Sequence, residues 1–192
     1  RYPRLTEFAA WRQGKWKEWW AGNRHYCEQG TDGAYGGFYT QDEIKEVVAY
    51  AAERHITVIS EIEMPGHSEE VLAAYPQLSC SGKPYTDADL CIGNEETFEF
   101  LQNVLTEVME LFPSKQIHIG GDEAGKSAWK TCPKCQQRMH EERLQTVDEL
   151  QSYMVHRIEV FLKANGRELV GWNEIMAGGV SQNAIVMAWT SE

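Results

Sequence analysis

Amphipathic helical stretches alternating with short apolar strands constrain this chain more than any other feature in it. Thr40-Gln41-Asp42-Glu43 reads as a capping box, and Ile44, Val47, Val48 and Ala51 fall on one face of the helix it opens. The β-branched run from Ile56 to Ile62 reads as a strand. Asn94 with Glu95 and Glu96 starts a second helix, whose Phe98, Leu101, Leu105, Val108 and Phe112 make an apolar stripe before Pro113 ends it. Gln116 to Gly120 is the next strand. A third helix from about Asp148 turns Leu150, Met154, Ile158, Phe161 and Leu162 inward and stops at Asn165-Gly166. Strands at Glu168 to Trp172 and Ala184 to Trp189 close the series, joined by a Gly-Gly link rather than a full helix. Alternation of this kind predicts an α/β fold with a parallel sheet and right-handed crossovers. No internal repeat and no low-complexity segment interrupts it.

The chemistry concentrates at the end of one strand. In His118-Ile119-Gly120-Gly121-Asp122-Glu123 a buried strand runs into a glycine pair, which lets backbone approach a neighbour closely. Two adjacent carboxylates then stand at the strand's C-terminal tip, where α/β barrels keep catalytic residues. A lone Asp-Glu is usually a solvated turn. The apolar strand, the double glycine and the flanking histidine point instead to an active site.

That hexapeptide resembles the signature of family 20 glycoside hydrolases, the β-N-acetylhexosaminidases. Ile56-Thr57-Val58-Ile59-Ser60-Glu61-Ile62-Glu63-Met64-Pro65-Gly66-His67 is similar to the family's preceding strand and Pro-Gly-His turn, with Ser60 where a proline is usual. Val170-Gly171-Trp172-Asn173-Glu174 and Ala184-Ile185-Val186-Met187-Ala188-Trp189 resemble its next two strands, and Gly37-Phe38-Tyr39-Thr40 also fits. The resemblance runs in order from about Arg1 to Trp189. It implies a (β/α)8 TIM-type barrel, of which residues 1–192 would be a single partial catalytic domain holding about four parallel strands. An ordinary barrel needs about 250 residues. Two strands would precede Arg1 and two would follow Glu192, and these would carry further sugar ligands. The isolated 192-residue chain is accordingly expected to be inactive.

Composition agrees with a carbohydrate enzyme and excludes other classes. A net charge of -11 argues against a nucleic-acid partner, which calls for basic patches. Seven tryptophans and eight tyrosines suit stacking on sugar faces. No apolar run approaches the ~20 residues of a membrane span. The first residues read as mid-domain sequence, so no targeting signal is expected within the chain; the resemblance implies a periplasmic or secreted location. Trp11, Trp16, Trp19 and Trp20 flank a lysine-rich insert at spacings that suit helix packing.

The five cysteines cannot all pair internally. Cys80 and Cys91 bracket a polar loop and could bridge under oxidising conditions. Cys132-Pro133-Lys134-Cys135 is half of a zinc motif, but no second pair sits at the usual spacing. The expectation is therefore no metal and no organic cofactor, with Cys27 and the others as loop thiols or disulfides.

Most glycosidases place two carboxyl groups on opposite sides of the scissile bond. Sequence neighbours such as Asp122 and Glu123 cannot straddle a bond as well as groups from different strands could. The resemblance supplies another division of labour: the substrate's 2-acetamido oxygen attacks the anomeric carbon. Glu123 would act as general acid and then base, and Asp122 would orient the acetamido group. His67 would hydrogen-bond to Glu123 or the substrate. Trp172 and Trp189, each ending a strand, would stack around the sugar. His118 reads as a satisfied core histidine, and Glu61 and Glu63 as supporting carboxylates. The implied substrate is a glycan ending in β-linked N-acetylglucosamine or N-acetylgalactosamine. A family 18 chitinase-like enzyme would show Asp-x-Asp-x-Glu on one strand, which is missing here, and a non-catalytic carbohydrate-binding module would not need the Asp122-Glu123 tip.

Overall fold

The computed structural model describes residues 1–14 and 25–190. A short helix α1 (Arg4–Glu7) leads to β1 (Trp11–Arg12), which pairs antiparallel with β2 (Tyr35–Gly36). Helix α2 (Gln41–Ala52) begins at the expected capping box: the Glu43 amide donates to Thr40 Oγ1 at 3.2 Å, and the Thr40 amide donates to Glu43 Oε2 at 2.7 Å. Helix α3 (Glu69–Ala74) follows, and then α4 (Glu95–Leu111), where the Asn94 side chain accepts from the Glu96 amide. Strand β3 (Gln116–His118) precedes α5 (Pro133–Glu141) and α6 (Val147–Ala164). Strand β4 (Glu168–Trp172) and β5 (Ile185–Met187) complete the chain.

The three later strands form one parallel sheet in the order β3-β4-β5, with His118 beside Val170 and Trp172 beside Met187. Helix α6 packs on β4, and its Leu150, Met154, Ile158 and Leu162 are wholly buried with Ile117, Ile119 and Leu169. Helix α4 adds Phe98, Leu101 and Leu105 to the same core. Each fully buried leucine stabilises the fold by about 2 kcal/mol. Glu95 at the start of α4 receives Arg157 in a two-pronged ion pair at 2.6 and 3.0 Å and also pairs with Arg138. Those contacts tie α4, α5 and α6 together. They draw the Glu95 carboxyl below its usual range, the Arg157 hydrogen bonds first among the causes.

The structure differs from the sequence expectation in particular places. The 56–62 segment is not a full strand; it runs parallel beside β3 through the His118 amide to Ser60 O and the Ile62 amide to His118 O, both 2.9 Å, with a single bridge at Glu61. Its other edge finds no ladder among the described residues, and Ile56 and Ile59 stay exposed. The same holds for α2, where only Ala51 is buried and Val47 is 55 % exposed. Trp11 lies in β1 rather than in a helix, and Trp16, Trp19 and Trp20 fall outside the described residues. The cysteine expectation is also corrected. Cys80 and Cys91 are not bridged, and folding carries both to Cys132 and Cys135, so the half motif does have a second pair. Linear spacing missed it because a loop, not a turn, separates those two cysteines.

Candidate active site

The tip of β3 is shaped by its glycines. Gly120 and Gly121 have φ of +66° and +98°, a region that side chains rarely adopt. A Cβ on Gly120 would stand 1.8 Å from Glu63 Oε2, and one on Gly121 would strike Ile175 at 2.4 Å. The buried Gln151 side chain of α6 donates to Gly121 O at 2.6 Å and fixes the turn from below. Glycine is needed here because Glu63 and Ile175 occupy the space.

Beyond the glycines the chain presents Asp122 and Glu123. His67 reaches them from the turn after the 56–62 segment, where Met64-Pro65 is cis. His67 Nε2 lies 3.3 Å from Asp122 Oδ2 and 3.5 Å from Glu123 Oε2. Asp122 is largely covered, with its side chain 14 % exposed, whereas Glu123 and His67 face solvent. Both Glu123 (φ 49°) and His67 (φ 48°) hold a left-handed backbone. Such strain costs about 1 kcal/mol or more per residue and clusters at functional sites. Burial alone would lower the basicity of His67, but the charges of Asp122, Glu63 and Glu123 outweigh it and raise its pKa above the ordinary imidazole value.

A second row of groups supports the first. Glu63, desolvated and hydrogen-bonded to Glu61 beside the Asp122 charge, has its pKa pushed up to about 8. Burial and the neighbouring carboxylates therefore favour the protonated form of Glu63. Glu61 Oε1 also accepts from Trp172 Nε1 at 2.8 Å. His118 is buried, its Nδ1 accepts from the Gly120 amide at 3.0 Å, and its ring meets that of Trp172 edge-on at 4.7 Å. Desolvation lowers its pKa, which keeps it neutral.

Buried Asp89 was not singled out by the sequence, although its role is clear in the fold. Its carboxylate accepts from the amides of Gly125 and Lys126, at 3.3 and 2.7 Å, and so holds the loop that follows Glu123. Lys126 Nζ is anchored in turn on Asp148 at 2.6 Å. No local pattern marks Asp89, one of several carboxylates in a polar loop, or Gln151, one polar residue within an apolar helix stripe.

The residues singled out in the sequence divide into two groups. His67, Asp122 and Glu123 place one ligand atom each within 4.8 Å of one another. Of the three, His67 and Glu123 line a cleft of about 620 Å³ together with Asp87, Asp89 and Ser127, and Asp122 lies behind them. Trp172 joins this network through Glu61 and Glu63. Trp189 does not: its indole donates to Glu174 at 3.1 Å, it is 53 % exposed, and neither tryptophan lines the cleft. The His67, Asp122 and Glu123 set has the donor atoms to hold a divalent cation. Its exposure and the close imidazole suit proton handling better. An imidazole whose basicity is raised by two neighbouring carboxylates, at the edge of an open cleft, can position one carboxyl and share its proton.

The chain is similar to known proteins. The model of the glycosyl hydrolase family 20 catalytic domain matches residues 1–192. The chain is 42% identical over 200 residues to a Beta-hexosaminidase of Porphyromonas gingivalis, covering 100% of this chain and 24% of that protein. It is 44% identical over 168 residues to one of Vibrio furnissii, covering 82% of this chain and 28% of that protein. The chain thus spans about a quarter of the length of these curated relatives. Among solved structures, a beta-N-acetylhexosaminidase from Bacteroides fragilis superimposes with a TM-score of 0.81 at 36% identity, over 99% of this chain and 36% of that one. A mutant Streptomyces plicatus beta-hexosaminidase in complex with product (GlcNAc) gives 0.70 at 29% identity, over 98% and 32%. The parallel strands and helices described above are part of an α/β barrel of that kind, and the chain belongs to glycosyl hydrolase family 20.

Proposed function

We propose that residues 1–192 form a segment of the catalytic barrel of a β-N-acetylhexosaminidase. The complete protein removes terminal β-linked N-acetylglucosamine or N-acetylgalactosamine from glycans with retention of configuration. The observation that carries this reading is His67 Nε2 set between the carboxylates of Asp122 and Glu123 at the end of a barrel strand. Both carboxylates come from one loop on one side, so among the described residues they do not face each other across a sugar ring as the paired carboxyls of ordinary glycosidases do. The substrate's own acetamido oxygen fills the role of nucleophile, as in the substrate-assisted families.

Exposed Glu123 protonates the leaving oxygen as the acetamido oxygen closes on the anomeric carbon. Its carboxylate then takes a proton from the water that opens the cyclic intermediate. Covered Asp122 accepts from the acetamido N–H and balances the positive charge on the new ring. His67 holds the two carboxylates in place. Trp172 and Trp189, which do not line the cleft, supply apolar surface for the part of the sugar that extends beyond it.

The test uses the full-length protein. A 2-deoxy-2-fluoro glycoside followed by peptide mass mapping should leave no carboxylate labelled, and a thiazoline mimic of the cyclised acetamido group should bind far more tightly than product sugar. Asp122→Asn should weaken that inhibitor. A sugar covalently attached to any carboxylate would sink the mechanism in favour of an ordinary two-carboxylate one.

A further inference from the structure

We infer that Cys80, Cys91, Cys132 and Cys135 bind a structural zinc ion that clamps the loops flanking the Asp122-Glu123 site. The four sulfurs all lie within 4.8 Å of one another. Cys91 Sγ is 3.7 Å from both Cys132 Sγ and Cys135 Sγ, and Cys80 Sγ is 3.7 Å from Cys135 Sγ. Tetrahedral zinc with 2.3 Å bonds to sulfur sets its ligands about 3.8 Å apart, whereas a disulfide requires about 2.05 Å. Three cysteines are buried and Cys80 is partly so. A tetrahedral set of four sulfurs is the donor chemistry that zinc prefers among common divalent ions.

The backbone is arranged around the sulfurs as well. Cys132 and Cys135 sit on either side of Pro133, at the N-cap and in the first turn of α5. The Gly93 amide donates toward the sulfurs of both Cys91 and Cys135. A Cβ on Gly93 would lie 2.1 Å from the carbonyl carbon of Lys134, so the Cys91 turn is pressed onto the Cys132–Cys135 turn with no room for a side chain. Amide donors to ligating sulfurs provide the outer hydrogen bonds that such sites use.

The consequence for the site is mechanical. Cys91 follows Asp89, which holds the amides after Glu123, and Leu90, whose carbonyl accepts from the buried Trp129 indole at 3.0 Å. Cys132 follows Trp129 on the other side. Zinc would join the two ends of this braced loop pair, and its uptake converts the thiols to thiolates, releasing their protons to solvent. Because the site holds loops and takes no part in bond cleavage, the inference stands or falls apart from the reaction proposed above.

Full-length protein purified without chelator tests it. Elemental analysis and native mass spectrometry should find one zinc per chain. A mercurial thiol reagent should release that zinc as the cysteines are modified. Cys91→Ser and Cys135→Ser should lose the metal, while Cys27→Ser keeps it. Should either serine variant fail to fold, cobalt exchanged into the unaltered protein should give the thiolate-to-metal bands of a tetrahedral sulfur site. Peptide mapping that finds these cysteines joined as disulfides would overturn the inference. So would folded protein that carries four reduced thiols and no metal, iron in place of zinc, or zinc retained by both serine variants.

Discussion

The loop at Asp122-Glu123 and the cysteine cluster are neighbours along the same backbone, yet they are built in opposite ways. The first is open: Glu123 and His67 face solvent, both carry left-handed φ angles, and like charges crowd around Asp122. The second is closed: buried sulfurs, an amide aimed at them, and backbones in contact at Gly93. Reactive groups must stay unsatisfied enough to meet a substrate, and the cost is borne by a satisfied region next to them. Asp89 and Trp129 are the residues through which one supports the other.

The comparison breaks most sharply at Glu123. Glu123→Gln in the full-length enzyme should lower kcat by about 10²–10⁴-fold or more. Substrates with very good leaving groups should lose less in the first step, and melting should not change. Equal losses on both substrate types with an unaltered melting curve would show that Glu123 is not the acid.

Trp129→Ala should do the reverse. A wholly buried tryptophan replaced by alanine costs about 3–5 kcal/mol, so the melting temperature should fall by many degrees. The pH dependence of whatever activity remains should be unaltered, since no proton-carrying group is touched. A shifted pH profile with normal stability would mean the bracing residue belongs to the chemistry.

The third effect concerns pH. Glu63 has a folded pKa of about 8 against 4.5 for the free group, so the native state holds an extra proton across that window. Stability contributed by the neutral form is full below about 4.5 and is lost as pH rises through 8. Glu63→Gln should remove that slope, flattening denaturation midpoints measured between those limits. A slope that survives the substitution would place the proton elsewhere.

Much of the candidate site is legible in the sequence because it is local. A strand, two glycines and two carboxylates sit consecutively, and the structure gives each glycine a reason in the positions of Glu63 and Ile175. Helix starts were equally readable, since Thr40 and Asn94 cap within their own first turns. What escaped is what depends on distant chain. Cys91 meets Cys132 and Cys135 only after α4 and β3 have folded between them, so spacing rules had nothing to act on. The 56–62 run has strand composition, but a strand is defined by its neighbours, and this one has a ladder on one side. Gln151 is one polar residue in the apolar stripe of α6, and nothing local in the sequence marks its partner, Gly121 O.

The left-handed backbone at Glu123 has an evolutionary consequence. Every substitution to a residue at ease in that conformation relieves strain, and glycine is the most at ease. Glu123→Gly should therefore fold with undiminished or greater thermal stability while losing the acid. Selection for robustness alone would tend to erase this glutamate, so the proposed acid role is what would keep it. Lineages in which the barrel persists but the reaction is no longer needed should drift first at this position, leaving sturdy proteins that do not cut sugars.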